Sequence, residues 1–180
     1  MQEKVAAEPD RDRRRDAPAP APARSSVARV CAVTATGAAD LATRGDVESL
    51  LRRFYGRVLD DELLEGPFVE IKEHGLQSHL PVMCDFWETV LFRAGLYKGS
   101  IMDVHQRVHT RHGVRTEHFL RWLALWVATI DQMYQGPIAE RAKTQATRIA
   151  WAMHRQLIGV DAAELDAVIA RQVGTRSSRR

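Results

Sequence analysis

Residues 46–58 read Asp-Val-Glu-Ser-Leu-Leu-Arg-Arg-Phe-Tyr-Gly-Arg-Val, and residues 117–134 read Glu-His-Phe-Leu-Arg-Trp-Leu-Ala-Leu-Trp-Val-Ala-Thr-Ile-Asp-Gln-Met-Tyr. In the first stretch Val47, Leu50, Leu51, Phe54, Tyr55 and Val58 recur every three or four positions. In the second, Phe119, Trp122, Leu123, Trp126 and Ile130 do the same. An α-helix turns once in about 3.6 residues, so this spacing gathers each apolar set on one side of a helix. A half-buried strand would need strict alternation, which neither stretch has. No alternating pattern and no internal repeat appears elsewhere in the chain, so the expected class is all-α.

The remaining elements follow outward from these two. Asp46 is placed to cap a helix beginning at Val47. Gly66 and Pro67 are expected to end that unit, with Phe68, Val69 and Ile71 as a short connection and Gly75 as a break. A second helix is predicted over 78–92, with His79, Met83, Phe86, Trp87 and Val90 on its inner stripe. Pro81 then falls in the first turn, where a missing N–H costs nothing. Gly95 and Gly99 mark a loop. A short helix over 100–108 carries Ile101, Met102 and His105. Thr116 is placed to cap the helix over 117–134, which Gly136 stops. Pro137 opens the last long helix, which runs to Ile158 with Ile138, Ala142, Ile149 and Met153 inside.

A chain of 180 residues has the length of one domain with a tail. Residues 1–43 are dominated by Ala, Arg, Pro and Asp, and Ala17–Ala23 alternates Ala with Pro. Such a segment buries too little surface to offset its ordering entropy, so it is read as a disordered extension. Residues 44–158 form the globular domain. Residues 159–180 hold a short helix over 161–172 and a basic tail from Gly174.

Lys and Arg number 26 and Asp and Glu 23, a formal charge of only +3, and the basic residues are spread along the chain. No nucleic-acid partner is expected from that balance. Arg13, Arg14 and Arg15 read as a solvated piece of the extension. Cys31 and Cys84 make no disulfide framework, and Cys84 reads as a small buried hydrophobe. That usage fits a reducing compartment. No apolar run is long enough to span a bilayer, so no membrane partner is expected. Residues 27–39 are small and follow an Arg-rich start, a faint export signal that Arg29 interrupts; a cytoplasmic location is expected.

The histidines carry the chemistry. His105, His109 and His112 stand at i, i+4 and i+7, a spacing that can bind zinc. No Glu completes an HExxH motif, and Gly113 frays a helix near His112, so His109 and His112 are read as a solvated loop. His105 shares an apolar face with Ile101 and Met102. Spacing alone leaves it either a satisfied core histidine or a metal ligand.

Several short runs occur together between Val47 and Leu157. They are Phe54-Tyr55 with Val58, Gly66-Pro67-Phe68, His79-Leu80-Pro81 with Asp85-Phe86-Trp87, Tyr97-Lys98-Gly99, His105, and His118-Phe119 with Arg121-Trp122-Leu123. In this combination the chain resembles the truncated haemoglobins (2-over-2 globins), specifically their third group. The Gly66-Pro67 pair is displaced by one position, and Leu76 stands where the group usually has Trp. The resemblance implies a globin-like helical sandwich enclosing haem b, with His105 as the ligand of its iron. It implies a distal set of Tyr55, His79 and Trp122. It implies a pocket built with Phe54, Phe68, Leu80, Met83, Phe86, Trp87, Met102 and Phe119, Phe68 wedging the porphyrin. Lys98, Arg107, Arg111 and Arg115 are nearby cations for the propionates.

Such a pocket takes O2, NO, CO or another small diatomic ligand. The Tyr55 hydroxyl and Trp122 indole N–H are donors to a ligand that gathers negative charge. A hydrogen bond to a charged group contributes about 1.5–3 kcal/mol, enough to slow ligand escape roughly ten- to a hundred-fold. Slow release suits redox chemistry, such as nitric oxide dioxygenation or a peroxide reaction, better than carriage. No GxGxxG loop is present, so turnover would use an external electron donor or reductase. Oxygen storage or sensing without turnover is the alternative within the same class. A zinc-binding protein and a metal-free helical interaction module are the alternatives outside it.

Overall fold

The structure is a computed structural model that describes residues 38–159, together with Ala163 and Ala167. Most of the N-terminal extension, including Cys31, and, apart from the helical Ala163 and Ala167, the helix and basic tail expected after residue 160 lie outside the described residues. Among the described residues every regular element is helical: α1 (Arg44–Leu59), α2 (Glu65–His74), α3 (Leu76–Phe92), α4 (Ile101–His112), α5 (Thr116–Met133) and α6 (Pro137–Ile158). Among them, no helix is long and apolar enough to cross a membrane.

Helix α1 begins earlier than its apolar stripe. Thr43 is the N-cap, its hydroxyl accepting from the Asp46 N–H at 3.2 Å, while the Asp46 carboxylate accepts from the Thr43 N–H at 2.8 Å. Asp46 is therefore the third helical residue of a reciprocal cap rather than the cap itself. Arg44 and Gly45 carry no apolar signal, so the periodicity missed the first turn. Val47, Leu50, Leu51, Phe54, Tyr55 and Val58 are all buried, as the stripe predicts.

The largest departure is α2, which occupies the expected connection. Gly66 and Pro67 open this helix instead of ending α1. A first-turn residue has no intrahelical N–H partner, so Pro67 is tolerated there. The first α2 hydrogen bond runs from the Phe68 N–H to the Leu64 carbonyl at 3.2 Å. Gly75, at φ +83°, separates α2 from α3 in one residue, a conformation that favours glycine. Because α3 starts at Leu76, Pro81 lies within the helix beyond its first turn.

Helix α4 also runs a turn longer than expected. Ser100 caps it, accepting from the Asp103 N–H at 3.2 Å, and Gly113 ends it at φ +63°. His109 and His112 are thus helical rather than part of a loop. Arg115, not Thr116, holds the N-cap position of α5; the Thr116 hydroxyl pairs instead with His154 Nε2 on α6, at 2.8 Å. Helix α6 has the expected bounds.

Helix α1 packs on α2, α3 and α5, α5 on α6, and α4 on α2 and α6. The centre is aromatic. Trp87 of α3 stacks on Trp126 of α5 with ring centroids 4.4 Å apart, and Trp122 stacks on the same Trp126 at 5.8 Å. Phe54 of α1 meets Trp126 edge-on at 4.9 Å. Ala139, Ala142, Ala146 and Ala150 put small side chains along the buried side of α6. This lets α5 come close enough for Trp126 Nε1–H to reach the Ala142 carbonyl at 3.3 Å. Cys84 is buried, as expected.

The folded part begins before the expected boundary at residue 44. Leu41 is 1% exposed. The Asp40 carboxylate accepts from the Ile138 N–H at 2.9 Å and the Ala139 N–H at 2.8 Å, capping α6 from ninety-eight residues away. Gly136 stands at φ +152°, and a Cβ there would run into the Asp40 side chain.

Candidate functional site

Helices α2 and α4 have no buried residue of their own, unlike the other four. Their apolar faces turn instead to a cavity of about 350 Å³. That volume lies in the range of small-molecule and cofactor sites, about 300–1,000 Å³. Tyr55 lines it from α1, and Pro67, Phe68 and Ile71 from α2. His79, Met83, Phe86 and Trp87 line it from α3. Ile101, Val104, His105 and Val108 come from α4, spaced as one helical face. His118, Phe119 and Trp122 come from α5, and Ile149, Ala150 and Met153 from α6.

Few polar groups face this apolar surface, and each is held in a definite way. His105 Nδ1 lies 2.7 Å from the Ile101 carbonyl oxygen. A carbonyl only accepts, so Nδ1 carries the proton and Nε2 keeps its lone pair. Burial pushes the His105 pKa down, against the opposing pull of the Ile101 carbonyl. The result is a neutral imidazole with a free basic nitrogen, the state a metal ligand needs.

Tyr55 and His79 form a second polar pair. The Tyr55 hydroxyl is 3.0 Å from His79 Nε2, and the two rings meet edge-on at 5.1 Å. Burial pushes the Tyr55 phenol up, so it stays protonated. Burial lowers the His79 pKa first, and the nearby His105 lowers it further. Both groups are neutral at pH 7, and one proton serves the bond between them.

The sequence expectations sort cleanly against this geometry. Tyr55, His79, Trp122 and His105 share the cavity wall, as do Phe68, Met83, Phe86, Trp87 and Phe119. Phe54, Leu80 and Met102 do not. Phe54 is packed behind Tyr55 and against Trp122, 1% exposed in the aromatic core. Leu80 faces a separate small cleft with Arg44, Arg52 and Cys84. Met102 lies off the face that Ile101, Val104, His105 and Val108 define, and Val104 takes the place expected of it.

Of the nearby cations, Arg111 is paired with Glu70 across α2 and α4, and Arg115 with Glu117. Lys98 and Arg107 are exposed and do not line the cavity. His109 Nδ1 bonds to the Val114 carbonyl at 3.1 Å, and His112 Nε2 stands 3.8 Å from Glu70, beyond hydrogen-bond distance. Among the described residues no three His, Cys, Asp or Glu side chains come together as a metal site, so the i, i+4, i+7 spacing does not assemble one.

The chain matches no protein-family model, no curated protein and no solved structure.

Sequence reading missed the contributions of Pro67 and Ile71 on α2, of α6 and of His118 to the cavity. Ile149 and Met153 were legible as an apolar stripe, but nothing in that stripe separates a cavity wall from a filled core. His118 Nδ1 accepts from the Arg115 N–H at 3.1 Å, a histidine version of the return bond in a helix cap. The signal was present in its position three residues after Arg115 at a helix start.

Proposed function

We propose that this chain is a haem-binding protein of the truncated haemoglobin type, third group, with His105 Nε2 as the iron ligand. The observation that carries the reading is a neutral histidine whose Nδ1–H is tied to its own helix, leaving Nε2 unprotonated on the wall of a large apolar cavity. The cavity chemistry fits the group: aromatic and aliphatic walls suit a flat apolar ring, and one nitrogen base suits an iron that needs a single protein ligand on one face. Bound haem would supply an iron centre that takes O2, NO or CO and exchanges electrons.

The other polar groups then divide the work. With His79 Nε2–H donating to its oxygen, Tyr55 keeps its own O–H for a ligand and presents it from α1. Trp122 presents an indole N–H from α5, its ring fixed by stacking on Trp126. Two oriented donors in an apolar surround hold a ligand that gathers negative charge, and they lose nothing to reorganisation. Such a pocket would favour redox chemistry over carriage, either oxidation of nitric oxide by retained dioxygen or, separately, activation of a peroxide, supported by an external electron donor.

The reading is tested by the visible absorption spectrum of the full chain after adding haemin, oxidised, reduced and under carbon monoxide, alongside His105→Ala. Stoichiometric binding, with a carbon monoxide band typical of histidine-ligated iron that the variant loses, is the expected result. No haem binding, or an unchanged spectrum in the variant, would overturn it.

A further inference from the structure

Two histidines on the same cavity are locked by the backbone in opposite proton states. His105 Nδ1 faces a carbonyl, which fixes its proton there. His118 Nδ1 accepts from a backbone N–H, which can only donate, so the neutral His118 carries its proton on Nε2. His118 is 6% exposed, lines the cavity, and its Nε2 has no hydrogen-bond partner among the described residues. That N–H is unpaired on a largely apolar wall and stays reachable from the cavity, so a ligand seated there can accept from it.

We propose that His118 is the cavity's anchor for an acidic group: its Nε2–H holds a carboxylate carried by an otherwise apolar ligand. The inference rests on the haem reading, in which that carboxylate is a propionate side chain of the porphyrin.

The surroundings favour an anion over a neutral acceptor. His118 belongs to the first turn of α5, an 18-residue helix whose positive end faces this corner. Burial first, and the Arg115 guanidinium second, disfavour a positive charge on His118, against the opposing pull of Glu117, which Arg115 pairs. Glu70 is the one acid among the residues lining the cavity, and Arg111 already holds it. The corner is also rigid. Gly113 ends α4 at φ +63°, and His109 clasps the Val114 carbonyl at 3.1 Å, just before the Arg115–His118 clasp at 3.1 Å. His118 precedes Trp122 by one turn on α5, about 6 Å along its axis.

The test uses metal-free protoporphyrin IX and its dimethyl ester, whose binding needs no bond to His105. Each is titrated by fluorescence into the full chain and into His118→Leu and His118→Gln. The expected result is that His118→Leu weakens the diacid about ten-fold and the diester less than two-fold. His118→Gln, which keeps an N–H donor, should restore much of the preference. The diacid-to-diester ratio within each protein cancels any general damage to the cavity. An unchanged ratio in His118→Leu would overturn the anchor while leaving the haem reading intact. Failure of the wild-type chain to bind either porphyrin or haemin would overturn both together.

Discussion

A single hydrogen bond to a backbone atom decides what each cavity histidine can do. Ile101 makes His105 a base, and Arg115 makes His118 a donor. The donors contributed by Tyr55 and Trp122 act at the same scale. Under the haem reading, Tyr55→Phe and Trp122→Phe should each release dioxygen roughly ten- to a hundred-fold faster than wild type, because each removes one hydrogen bond of about 1.5–3 kcal/mol. Stopped-flow measurement of the reduced, oxygenated proteins checks this. Release at the wild-type rate in both variants would sink the distal-donor argument.

At the scale of elements, the helices are held by their ends as well as by their stripes. Asp40 satisfies two N–H groups at the start of α6, and Thr43 and Asp46 satisfy each other at the start of α1. Asp40→Ala should cost about 1–2 kcal/mol, since it leaves those donors without their carboxylate. Thr43→Ala should cost about 1 kcal/mol. Gly136→Ala should cost more than either, because it combines an unfavourable φ with a collision against Asp40. Urea denaturation of the three variants gives the order directly; equal stability of Asp40→Ala and wild type would remove the long-range cap from this account. The helices are of two kinds. Helices α1, α3, α5 and α6 bury residues in the aromatic core, while α2 and α4 close the cavity without burying any.

At the scale of the whole fold, the described residues form a core with a large apolar gap, and stability should respond to what fills that gap. A ligand present at a hundred times its dissociation constant adds about 2.7 kcal/mol if it binds the folded chain alone. Thermal melting with and without haemin reads the shift, and protection of α2 and α4 amides should rise most. Proton linkage acts on the same site. Burial lowers the folded-state pKa of His79, His105 and His118 below the unfolded value of about 6.5. The unfolded chain then binds more protons below about pH 6.5, so stability falls as pH drops through that point towards the folded pKa values. Asp46 and Glu70, lowered by their Thr43 and Arg111 partners, lose their contribution in a separate, more acid window. Denaturation midpoints between pH 7.5 and 5 should decline for the ligand-free chain, and His79→Gln with His105→Gln should flatten the slope. A flat wild-type profile would show that these histidines are not protected from protons in the fold.

The helical stripes, the all-α class, the bounds of α6 and the gathering of Tyr55, His79, His105 and Trp122 were legible in the sequence, because each rests on local periodicity or on the family-like combination of residues. Helix α2 was not, since Gly66-Pro67 signals a stop and a start equally well. The cap from Asp40 was also invisible, because its partners lie across the chain at Ile138 and Ala139. The division of apolar residues was decided only in three dimensions: Phe54, Leu80 and Met102 fell outside the cavity, while Val104, His118, Ile149 and Met153 entered it. A sequence pattern states which side of a helix is apolar. Whether that side meets another helix or an open cavity depends on how far apart the packed elements stand, which no single helix encodes.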